Sequence, residues 1–89
     1  MIKILKQREI EKIEQIYKLF NKYSKEVGFV LKPSIIEATI KGEIIYIEED
    51  DQIVGACKFH KRKDGIITIY EIVVDDGFRG RGLAKQMLQ

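Results

Sequence analysis

The stretch Ile69-Tyr70-Glu71-Ile72-Val73-Val74-Asp75-Asp76-Gly77-Phe78-Arg79-Gly80-Arg81-Gly82-Leu83-Ala84-Lys85-Gln86-Met87-Leu88 decides how this chain is read. It opens with a run of β-branched and aromatic residues, Asp76-Gly77 closes that run, and Leu83, Met87 and Leu88 then lie at helical distances. A strand therefore passes through a glycine loop straight into a helix. Such a junction aims unpaired backbone N–H groups at one spot with the positive end of the helix dipole behind them, which favours a phosphate-bearing ligand. Gly80 and Gly82 carry no side chain, so a ligand can come close to the backbone.

Upstream, Ile44 to Glu48, Ile53 to Lys61 and Ile66 to Val74 are rich in strand-forming residues. Glu49-Asp50-Asp51-Gln52 and Lys63-Asp64-Gly65 separate them, and a three-stranded antiparallel meander is the simplest arrangement. Earlier still, Pro33-Ser34 interrupts the chain, and Ile35, Ile36 and Ile40 predict a short helix ending near Gly42. From Arg8 to Val27, Ile10, Ile13, Ile16, Tyr17, Phe20, Tyr23 and Val27 recur three or four apart, which predicts one amphipathic helix stopped by Gly28. Ile2, Ile4 and Leu5, in a segment ending at Lys6, read as a first strand. The order is strand, helix, helix, strand, strand, strand, helix, an α/β class with an α+β mixed sheet, and residues 1–89 make a single domain.

Composition narrows the function. The formal net charge of +2 lacks the one-sided balance of a nucleic-acid binder, so no nucleic-acid partner is expected. No stretch of eighteen apolar residues occurs, so no membrane partner is expected either. One cysteine, Cys57, can form no internal disulfide and fits a cytoplasmic protein. It reads as a small buried residue, and His60, among Lys58, Lys61 and Arg62, as a surface strand residue. Phe20, Tyr23 and Phe29 read as core or cleft wall, and Glu48 to Asp51 as a hairpin tip in water.

Three familiar glycine loops fail here. A P-loop needs Lys and then Ser or Thr after its last glycine, where Leu83 and Ala84 stand. A dinucleotide fingerprint needs a glycine at position 85, which is Lys85, and an acidic residue some twenty positions on. A single Arg-Gly-Arg-Gly run lacks the aromatic interleaving of RNA-binding segments.

Arg79-Gly80-Arg81-Gly82-Leu83-Ala84, preceded by Ile72-Val73-Val74, resembles the acetyl-CoA signature of the GNAT superfamily of N-acetyltransferases: Arg or Gln, two residues, Gly, one residue, Gly or Ala. The element order resembles the front half of that fold, ending inside the helix after the loop. The resemblance implies an N-acetyltransferase that, in its full-length form, moves acetyl from acetyl-CoA to an amine, of a small molecule by first choice. It implies that Ile72 and Val74, with Val73 between them, offer strand backbone to the pantetheine arm, and that Arg79, Gly80, Arg81, Gly82, Leu83, Ala84 and Lys85 cradle the pyrophosphate. No metal is implied. Glu71 is the nearest carboxylate for the general base; strand alternation predicts that it faces away from Tyr70 and Ile72. The tyrosine general acid that family members often supply from beyond this helix has no counterpart here. The alternative is a noncatalytic acyl-CoA-binding or interaction module. In either case the last strand is left with an edge open to self-association.

Overall fold

The computed structural model describes residues 2–88, in the order β1 (Ile2–Ile4), α1 (Ile10–Lys22), α2 (Ser24–Val27), α3 (Lys32–Ile40), β2 (Ile44–Glu49), β3 (Gln52–Lys61), β4 (Ile67–Val74), a 3-10 turn (Asp76–Phe78) and α4 (Leu83–Met87). The strands form one sheet in the order β1-β2-β3-β4. The meander is as the strand and turn residues predict. All pairings among the described residues are antiparallel, so the mixed character expected of the sheet lies in no strand pair described here.

Alternation along β2, β3 and β4, offset in β3 by a bulge at Val54, sends side chains to two cores. Ile44, Tyr46, Ala56 and Val73 face α1 and α3, where they meet Ile13, Ile16, Leu19, Phe20 and Ile35. Ile47, Val54, Cys57 and Val74 face the opposite side and are covered by Leu83 and Met87 of α4. The spacing of Ile13, Ile16 and Phe20 on one stripe of α1 is what pins that helix to the sheet. Burial of each large aliphatic side chain contributes about 1.5–3 kcal/mol.

The single helix expected from Arg8 to Val27 is two. Tyr23 leaves helical geometry at φ −113° and ψ 31°, and α2 begins afresh at Ser24. Two side chains at the break have tasks elsewhere. Asn21 bonds both backbone groups of Val30, accepting from its N–H at 3.0 Å and donating to its carbonyl at 3.0 Å, so the returning chain is strapped across the end of α1. The Tyr23 hydroxyl reaches across to Asp75. Gly28 ends α2 at φ 82°, as expected of that glycine. The first strand ends at Ile4, and Leu5 just beyond it, rather than the strand's isoleucines, is buried, its N–H donating to the Ile44 carbonyl at 2.9 Å.

A second departure lies in β4. Lys58 pairs with Glu71 but Phe59 pairs with Ile69, so Tyr70 has no partner in the ladder and forms a bulge. The extra residue cancels one step of alternation. Tyr70 and Glu71 consequently lie on the same face, contrary to simple alternation: the Lys58 Nζ sits 4.6 Å from the Tyr70 ring centroid and 3.6 Å from the Glu71 carboxylate.

Candidate functional site

Asp75 closes β4 by donating its N–H to the Val54 carbonyl at 2.8 Å. With Val73 opposite Ala56 and Glu71 opposite Lys58, antiparallel geometry then turns the backbone groups of Val73 and Glu71 toward β3 and those of Ile72 and Val74 toward the outer edge. Beyond the 3-10 turn the chain bends through Gly80 at φ 81° and Gly82 at φ 76°, the second of these capping α4. Side chains rarely adopt that backbone region, which explains the residue type. A Cβ built on either glycine meets nothing within 4 Å, so these positions border open space.

That space is a cleft of about 400 Å³, lined by Ile72, Val73, Val74, Phe78, Arg79, Gly80, Gly82, Leu83, Ala84 and Lys85 together with Glu26 of α2. Strand end, glycine loop and helix start, read in the sequence as one junction, line one concavity. Arg81 is the exception. Its guanidinium lies 3.0 Å from the Glu49 carboxylate at the end of β2 and 5.4 Å from the Phe78 ring centroid, and it does not line the cleft.

The loop is moored from behind. The Asp75 carboxylate accepts from the Tyr23 hydroxyl, from Lys22 at 2.9 Å and from the Asp76 N–H at 3.0 Å, and the Tyr23 hydroxyl in turn accepts from the Asp76 N–H at 2.9 Å. The Tyr23 hydroxyl, followed by Lys22, holds the Asp75 carboxyl below the ordinary carboxylate range despite the opposing effect of burial. Arg79 adds a second mooring: its Nε donates to the outward-facing Val74 carbonyl at 2.9 Å, and its guanidinium lies 4.8 Å over the Tyr23 ring and 3.1 Å from Glu26.

Glu71 lies on the helix side of the sheet, paired with Lys58; the two side chains are only 14% and 12% exposed. It does not line the 400 Å³ cleft, although its neighbour Ile72 does. A smaller cleft of about 210 Å³ opens on Glu71's side of the sheet, between α3 and the bulge, with Ser34, Glu37, Lys41, Glu43, His60 and Tyr70 on its walls. His60 is on the strand surface as expected. It also bonds Glu43 at 3.0 Å and stacks on Tyr70, a partnership that sequence spacing conceals because Glu43 sits in the turn before β2. Phe29 is 65% exposed and belongs to no core, whereas Phe20 and Tyr23 are buried. Only Asp50 and Asp51 form the hairpin tip, since Glu48 pairs with Lys3 and Lys12 and Glu49 with Arg81.

Cys57 is buried, and burial, reinforced by the negative charge of Glu71, pushes its thiol up to about 11. A thiol so protonated is a poor nucleophile at neutral pH. The native chain should resist thiol-disulfide exchange reagents that label it at once in denaturant; fast labelling of the native chain would place Cys57 at the surface. Among the described residues no group of His, Cys, Asp or Glu is placed to hold a metal, and no helix is long and apolar enough to cross a membrane.

The family model described as "Acetyltransferase (GNAT) family" matches residues 8–89, and the chain belongs to that family. Solved structures share its fold at low identity. The diaminobutyrate acetyltransferase of Paenibacillus lautus, solved with L-2,4-diaminobutyric acid and coenzyme A, superposes at TM-score 0.83 with 14% identity over 99% of this chain and 53% of its own. The loading GNAT domain of CurA from Lyngbya majuscula gives TM-score 0.81 at 15% identity over 99% and 54%. A ribosomal-protein-alanine N-acetyltransferase from Brucella melitensis gives 0.73 at 18% identity over 99% and 65%. This chain thus spans about half to two thirds of those chains. No curated protein sequence matches it.

Proposed function

We propose that these residues form one domain carrying the acetyl-CoA side of an N-acetyltransferase that acylates an amine of a small molecule. The observation behind this reading is the 400 Å³ cleft, in which the outward backbone of Ile72 and Val74 continues into the glycine loop. Outward strand groups can pair with the amides of an extended pantetheine arm as a further strand would. The open backbone of Arg79 to Lys85, with the cation of Lys85 beside it, suits a pyrophosphate. Arg81 takes part through the loop backbone, its side chain being committed to Glu49.

The reaction forms a bond between the amine nitrogen and the thioester carbonyl carbon and breaks the carbon–sulfur bond. The amine loses a proton, which Glu71 accepts directly or through water, and the departing thiolate takes one from solvent. An N–H near Ile72, on the open edge of β4, polarises the carbonyl. The acceptor approaches from the helix side through the 210 Å³ cleft, whose walls carry Glu37 and Glu43 together with Lys41, Lys58 and His60, a mixed polar lining that suits a small polar molecule. The amines in related complexes, diaminobutyric acid in one and the aminoglycoside sisomicin in another, support that choice.

Ala84→Trp tests the cofactor site without touching a left-handed glycine. The added ring would occupy the cleft from a helical position, and calorimetry should show coenzyme A affinity falling at least about tenfold while far-UV circular dichroism is unchanged. Unaltered affinity would move the ligand elsewhere. Release of free coenzyme A in the presence of amines separates the enzyme from a noncatalytic binding module.

A further inference from the structure

Glu26 is an unexpected residue for a phosphate site. It is the one carboxylate among the residues lining the 400 Å³ cleft, where an entering anion would meet its like charge. Its partner is Arg79, and the bonding of that guanidinium is unusually complete. Nη2 lies 3.1 Å from Glu26 Oε2, Nη1 lies 3.3 Å from Asp76 Oδ1, Nε donates to the Val74 carbonyl at 2.9 Å, and one face covers Tyr23. Two carboxylates therefore share the single positive charge at the head of the glycine loop. Both ends of the Glu26 pair stand largely in water, 57% and 42% exposed, and pairs of that kind are weak.

We propose that Glu26 is a competing occupant of the Arg79 guanidinium that sets the affinity of the cleft for phosphoesters. The proposal rests on the acetyl-CoA reading above. With the cleft free, Glu26 holds Nη2. A phosphoester oxygen entering the cleft takes Nη2 over, because phosphate offers more charge and a geometry that fits the guanidinium fork. Little else need move: the bond from Nε to Val74 and the stacking on Tyr23 keep the guanidinium plane in place while one nitrogen changes partner. The carboxylate then swings into solvent from α2, a four-residue helix. Part of the binding energy is thus spent in displacing Glu26, which keeps the nucleotide exchangeable.

Calorimetric titration of the full chain with coenzyme A tests this with Glu26→Gln, Arg79→Gln and the double variant. Glu26→Gln should bind about three- to tenfold tighter at low ionic strength, with the gain fading as salt screens the charges. In the Arg79→Gln background the same change should give little gain, because the contested cation is gone. Unchanged or weaker binding by Glu26→Gln would overturn the proposal, as would an equal gain in both backgrounds, which would mean simple repulsion without exchange. A folded parent that binds coenzyme A but shows no such coupling removes this inference alone; a folded parent that binds none removes the acetyl-CoA reading and this inference with it.

Discussion

Asp75→Ala should lower the melting temperature by about 5–20 °C, from a cost of about 1–3 kcal/mol for stranding its hydrogen-bond donors and about 4–8 °C per kcal/mol in a domain of this size. The carboxylate serves three donors at once, and the Tyr23 hydroxyl at the break between α1 and α2 would lose its acceptor in a largely buried setting. The loss should also disorder the start of the glycine loop, so affinity for coenzyme A should fall with stability. Acidity supplies an independent check. Because the folded-state pKa is depressed, the stabilisation is complete above the unfolded value of roughly pH 4 and is lost as pH falls through the folded value. Parent and variant should therefore differ most near neutrality and converge in acid. Equal melting temperatures at pH 7 would show that the mooring carries no load.

The second large effect concerns assembly. Among the described residues β4 has one neighbour, β3, and its other side presents the outward backbone of Ile72 and the Val74 N–H, the Val74 carbonyl being held by Arg79. Ile66, Ile67, Ile69 and Tyr70 are exposed beside it. An open edge flanked by apolar side chains recruits another strand. Light scattering should find the 89-residue chain as a dimer or larger, and Ile67→Lys combined with Ile69→Lys should return it to the monomer mass. A monomeric parent at all concentrations would refute this. Strand addition along β4 would also compete with the pantetheine arm for the same groups, so coenzyme A should dissociate the assembly.

Much of this was legible from residue order. The β-branched runs and the Asp64-Gly65 and Asp76-Gly77 turns locate the meander because each is a local signal, and Arg79 to Ala84 announces its loop because glycines with positive φ are needed there. The break at Tyr23 was hidden, since its apolar spacing continues the helical stripe; only the distant Asp75 and Val30 draw that turn apart. The bulge at Tyr70 was hidden for a related reason. Nothing in the run Ile69-Tyr70-Glu71-Ile72 marks an extra residue, and the pairing with Lys58 and Phe59 alone reveals it. Glu26 likewise reads as an ordinary helix carboxylate until folding places α2 beside the cleft.

The Tyr70 bulge is an insertion that leaves the faces of the strand on either side of it intact. Upstream of it Ile67 and Ile69 lie on the α4 side, near Phe59 and Met87; downstream Val73 lies on the α1 side. Loss of the single codon for Tyr70 would leave every residue of the glycine loop untouched. Residues 67–69 would keep both their partners and their faces, because Ile69 already pairs with Phe59 and Glu71 with Lys58; the ladder would become regular, and the Tyr70 ring would be lost from the 210 Å³ cleft. Three nucleotides thus add or remove one aromatic wall of that cleft without disturbing the sheet around it.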